Sequence, residues 1–166
     1  EWDSDGQLDW YLLEQPENQK IHRFFKDINA FYKKEPALWE IDFDWEGFEW
    51  LVSDDNHNNV VVFLRKDRKG RDLLCAINFS PNTYEDYRMG VPAHRRYVPV
   101  FNTDAEIYGG AGFGDAQPVP VEAIPSHGRE CSAAIRIPAF GAVFLRGEGT
   151  FSKPRKKSKA KELEKT

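Results

Sequence analysis

Beyond Pro36 the chain never holds a helical period. Instead, short apolar runs alternate with turn-forming stretches, which restricts the fold to an antiparallel, β-rich architecture. The runs fall at 48–52, 60–65, 73–79, 84–89, 96–101, 119–124, 132–137 and 142–146. Between them lie DDNHNN, KDRKGRD, SPNT, NTDAEIYGGAGFGDAQP and IPSHGRE, built from the residues that form turns. Strands spaced at roughly 8–12 residues are the pattern of a β-sandwich. RKDRKGRD joins two apolar runs and predicts a hairpin, with Gly70 at the position that needs positive φ.

One helix precedes this region. Pro16 and Asn18 open it, and Ile21, Phe24, Phe25, Ile28, Phe31 and Tyr32 recur at spacings of three and four. Lys20, Arg23, Lys26, Asp27 and Lys33 take the other face, Lys33 and Lys34 suit the negative end of the helix dipole, and Pro36 stops the helix. So aromatic a stripe needs a broad apolar surface. Residues 1–15 carry Trp2, Leu8, Trp10, Tyr11, Leu12 and Leu13 without a period, which predicts an irregular segment that also needs cover. Either both pack on the sandwich or their partner lies elsewhere.

At 166 residues the chain is one domain, or one domain with an appendage, and is long enough to bury a core without staples. Hydrophobic residues at 40% exclude a disordered chain, and ten prolines argue against an all-helical one. Cys75 and Cys131 lie in no metal or redox spacing, which predicts two buried thiols in a reducing compartment, the cytoplasm. No apolar run is long enough to span a membrane, and EWDSDGQLDW is not a signal peptide. A start at Glu1 leads us to expect a piece of something longer. Charge is uneven: residues 151–166 hold seven basic and two acidic residues, whereas residues 1–150 carry a net −9. Without interleaved aromatics this tail predicts a solvated, disordered terminus rather than a nucleic-acid binder.

No catalytic constellation emerges. Asp42 with Asp44, and Asp54 with Asp55, are nominal carboxylate pairs, but both fall in expected loops. His22, His57, His94 and His127 have no ligand spacing and each reads as a surface or capping residue, so no metal or cofactor is called for. The run Gly109-Gly110-Ala111-Gly112-Phe113-Gly114 fits neither phosphate-loop spacing, and Pro118 and Pro120 follow where a helix would begin; a mobile or close-packed loop is expected. Asn78-Phe79-Ser80 is a formal glycosylation sequon inside an expected strand. Most aromatics fall at core spacing, so any single Trp reads as core in preference to a sugar-stacking platform.

Five blocks, in order and with matching spacing, resemble the C-terminal end of bacterial glycogen branching enzymes, the 1,4-α-glucan branching members of the α-amylase superfamily. EWDSDGQLDWYLLEQP is similar to the stretch after the last strand of that family's catalytic (β/α)8 barrel, and HRFFKDINAFYKKEPAL to the final barrel helix and its exit. The others are NFSPNTYEDYRMGVP at 78–92, NTDAEIYGGAGFG at 102–114 and SHGRECSAAIRIPAFGAVFLRG at 126–147. The resemblance implies a mainly β fold: an antiparallel C-terminal sandwich preceded by one amphipathic helix that is the last helix of the barrel. It divides the chain into the barrel's end at 1–35, the sandwich at 36–150 and the tail at 151–166.

It also implies a retaining transfer in which an aspartate nucleophile cleaves an α-1,4 bond and the 6-hydroxyl of another glucan chain takes the place of water. The family's catalytic carboxylates lie on earlier barrel strands, so none is expected here. Trp2, Asp9 and Trp10 become the candidate glucan-groove contacts, and α-glucan (amylose, glycogen) and the missing barrel become the partners. The helix stripe should face that barrel, which leads us to expect self-association of the isolated chain through Phe24, Phe25, Ile28 and Tyr32. A glucan-binding module without catalysis and a purely structural cap stay open as alternatives.

Overall fold

The computed structural model describes residues 4–151. The expected tail from residue 152 onward, and Trp2, lie outside the described residues. Helix α1 (Pro16–Lys34) is followed by strands β1 (Phe48–Asp55), β2 (Val60–Lys66), β3 (Asp72–Asn78), β4 (Tyr84–Gly90), β5 (His94–Asn102), β6 (Val119–Pro120), β7 (Ser132–Ile137) and β8 (Ala142–Thr150). All pairings are antiparallel, in a six-stranded sheet ordered β1-β2-β3-β8-β5-β6 and a two-stranded sheet of β4 and β7. The mainly β fold is therefore an unequal sandwich behind one helix.

Between the sheets, Val62, Leu64, Leu74 and Leu145 of the large sheet meet Met89, Ile135 and Ile137 of the small one, all essentially inaccessible. These are the inward positions of alternating strands. β3 is the exception. Leu73 and Cys75 are as buried as Leu74 and Ala76, because the outer face of the large sheet is also covered. That is why LLCAI reads as a continuous apolar run. Burial pushes the Cys75 thiol up to about 12, and both cysteines are free and buried.

The hairpin forms as the turn residues predict. Gly70 takes φ +72°, and the Asp67 carboxylate accepts the Lys69 and Arg71 amides at 2.9 Å each. The run at 119–124 is shorter than expected. With prolines at 118, 120 and 125, only Val119–Pro120 pairs with β5, after which Glu122 exchanges backbone hydrogen bonds with Ser132. This segment crosses from one sheet to the other.

The cover on the outer face is α1 and the turn after it. Phe31 stacks on Phe101 at 5.0 Å between ring centroids and meets Phe144 edge-on at 5.4 Å. Phe24 meets Tyr108 and Phe101, and Tyr108 donates its hydroxyl hydrogen to Asp27 at 3.0 Å. At the helix end, Arg146 pairs with buried Glu35. The row Phe24, Asp27 and Phe31 thus docks on the sandwich, correcting the expectation that the whole stripe faces away. Phe24 is consequently not part of a free face. The neighbouring row stays outside: Ile21, Phe25 and Tyr32 are exposed and Ile28 is half-buried.

Candidate functional site

Asp9 and Trp10 stand together on an exposed 3-10 turn, Trp10–Glu14, that leads into α1. The turn closes because the Leu12 amide donates to the Asp9 carbonyl at 2.9 Å, and the Asn18 side chain holds it to the helix by donating to the Leu12 carbonyl at 2.9 Å. Neither side chain is spent on that architecture. The Asp9 carboxylate caps nothing, and Trp10 is 68% exposed. An indole face beside a free carboxylate can stack on a pyranose ring and accept hydrogen bonds from its hydroxyls. It offers no acid, base or nucleophile pair.

A second exposed group escaped the reading of the sequence. Phe43 is 100% and Trp45 84% exposed, on the connection between α1 and β1. Trp39 and Trp50 are also exposed, and Trp50, Phe48 and Phe63 form a ring cluster on the outer face of β1 and β2 with centroids 4.9–5.8 Å apart. All four tryptophans among the described residues are therefore on the surface, which corrects their assignment to the core. The core is filled by aliphatic residues on strand alternation and by Tyr87 and Tyr97. Trp10, Trp39 and Trp45 lie outside any strand, and Trp50 is on the outward side of an edge strand. The signal available was local: IDFDWEG places two large aromatics among turn formers, where no core period supports them.

The remaining candidates disperse. Asp42 pairs with Arg65 at 2.8 Å. Asp55 organises a turn, accepting hydrogen bonds from the Tyr87 hydroxyl at 2.6 Å and from Asn58; burial raises its pKa, but these donors outweigh it and hold the carboxyl below its ordinary range. Asn78 is buried and donates to the Asn82 and Pro138 carbonyls, so the sequon is closed to modification in the fold. In the glycine run the Ala111 and Phe113 amides donate to the Asp104 carboxylate, so they are turned inward and make no anion cradle. His22, His57, His94 and His127 sit on four separate elements. His94 is not the surface residue expected, because it pairs with buried Asp72.

Residues 50–148 match the family described as alpha amylase, C-terminal all-beta domain. The chain belongs to that family. Among curated proteins, this alpha-amylase-type domain is similar to the 1,4-alpha-glucan branching enzymes GlgB of Desulfitobacterium hafniense, 44% identical over 149 residues and 89% of this chain, and of Aquifex aeolicus, 41% over 150 residues and 90%. That of Rubrobacter xylanophilus is 44% identical over 147 residues, 88% of the chain. The chain spans only 20–24% of the length of these relatives. The family match begins at Trp50, and ten of the fifteen exposed large apolar side chains among the described residues come before it.

Proposed function

We propose that this chain is the C-terminal part of a 1,4-α-glucan branching enzyme of glycogen biosynthesis, acting in the cytoplasm. One observation carries the reading. An alignment of 149 residues with a branching enzyme cannot fit within the 117 residues from Trp50 onward, so the likeness runs back into the helix as well as the sandwich. In that enzyme an α-1,4 bond is broken, the glycosyl group is held on a carboxylate, and the 6-hydroxyl of a second chain accepts it with loss of its proton to the general base. The carboxylates that do this belong to the rest of the enzyme, and no residue here is assigned a catalytic role.

On this reading residues 1–35 complete the catalytic barrel and 36–150 form the sandwich. The bare row Ile21, Phe25 and Tyr32, with half-buried Ile28 beside it, is the surface that meets the barrel. Asp9 and Trp10 line the glucan groove at its rim, where an indole face and a carboxylate suit a hexose.

An antibody to residues 36–150 tests this in the source cells. A native band several times heavier than 19.2 kDa is the expected result; a band near 19.2 kDa overturns it. The chain alone should form no α-1,6 linkages from amylose. Retardation in a glycogen-containing gel would show that the module itself holds glucan, and unaltered migration would leave it a structural cap.

A further inference from the structure

His94 opens β5 with both ring nitrogens against acceptors. Nε2 lies 2.9 Å from Oδ2 and 2.8 Å from Oδ1 of Asp72 on β3, and Nδ1 lies 3.2 Å from the Gly149 carbonyl oxygen on β8. A carboxylate and a carbonyl only accept, whereas a neutral imidazole carries a single N–H. With a neutral ring, one of the two contacts would set a lone pair against an oxygen. An imidazolium satisfies both.

The surroundings are built for that charge. The Asp72 side chain is 6% exposed, and among the described residues its Oδ1 has the His94 ion pair but no aligned hydrogen bond. Tyr97, fully buried, meets the His94 ring edge-on at 5.5 Å, and its hydroxyl has no hydrogen-bond partner among the described residues. Gly147 makes the space: a Cβ there would stand 2.4 Å from both Asp72 Oδ1 and His94 Cδ2. Other charges on the adjoining strands are turned elsewhere. Lys66 and Arg129 bind Glu49, Arg96 binds Glu148, and Arg95 is exposed.

We propose that His94 is a proton-operated clasp: its imidazolium ties β3 and β5 to the end of β8, and loss of the proton releases that end. The Asp72 hydrogen bond, working against burial, raises the proton affinity of His94 above its ordinary pKa of 6.5. A pKa raised in the folded state means that the stabilisation is complete below about 6.5 and is lost as pH rises through the folded value. The clasp uses sandwich residues only and does not depend on the proposed enzyme activity.

Nitrogen-15 NMR of the histidine ring in the full chain is the direct test. At pH 6 both His94 nitrogens should be protonated, with a titration midpoint above 6.5. Asp72→Asn should bring that midpoint back toward 6.5. The Phe151 amide, which donates to the Ala93 carbonyl at 2.9 Å beside the clasp, reports release. Corrected for intrinsic exchange, its protection should fall by up to about tenfold for each pH unit between 6.5 and the His94 midpoint and level off above it. His94→Gln keeps a single donor and should remove that slope. A His94 ring with one protonated nitrogen at pH 6, or an unchanged slope in His94→Gln, overturns the proposal.

Discussion

Two adjacent rows on one helix meet different neighbours. Phe24, Asp27 and Phe31 of α1 lie on the outer face of the large sheet and on Tyr108, whereas Ile21, Phe25 and Tyr32, one residue further round at each turn, stay bare. At 3.6 residues per turn the six apolar positions span about 120° of arc. A flat sheet touches only part of so wide a stripe. Amphipathic spacing therefore reveals that a helix needs cover, and the width of the stripe tells whether one surface can supply it. Here it cannot, and on the proposed reading the surplus is left for the rest of the enzyme.

Cutting the docked row should have the largest effect. Phe31→Ala removes a ring held between Phe101 and Phe144 and should cost about 3 kcal/mol in denaturant unfolding. Phe25→Ala, nearly two turns away on the bare row and 58% exposed, should stay within about 0.5 kcal/mol. Equal costs would erase the distinction between the rows.

Next comes the anchor at the helix end. Arg146→Ala leaves the buried Glu35 carboxylate without its partner and should cost about 1–3 kcal/mol. Glu35→Gln with Arg146→Met should recover much of that loss, because neither partner is then a buried charge without its mate. If the single change were silent, the helix would be held by its aromatic rings alone.

Tyr108 sharpens the comparison through pH. Burial first, then the hydrogen bond to Asp27, raises its hydroxyl pKa above the ordinary 10. The folded state therefore retains the proton longer. The helix's hold on the loop is complete below about pH 10 and is lost as pH rises through the higher folded value. Tyr108→Phe should cost about 0.5–1.5 kcal/mol at neutral pH and flatten that alkaline loss, as followed by unfolding at a series of pH values.

The eight strands and the helix were legible because alternation and helical period are local, and Gly70 because a tight hairpin needs positive φ. What was not legible depends on partners far apart in the chain. Asp72 and His94 look like ordinary polar residues until β3 and β5 both flank β8, and Asp27 gives no hint of Tyr108. The candidate site divides in the same way. Asp9 and Trp10 are exposed as a groove contact requires, whereas Phe43 and Trp45 went unseen because an aromatic residue in a turn carries no periodic mark.

The bare row supplies the smallest effect on stability and the clearest on association. Phe25, Tyr32 and Ile21 form one exposed apolar edge, with Ile28 half-buried beside it, and water gains by its removal from contact. The chain on its own should therefore self-associate, with apparent mass rising with concentration in sedimentation equilibrium. Phe25→Ser with Tyr32→Ser should shift it to monomer while changing unfolding free energy by less than about 0.5 kcal/mol, since both rings are already in water. A chain that stays monomeric at every concentration would mean that this row is tolerated bare. The surplus width of the stripe would then no longer argue for a second surface.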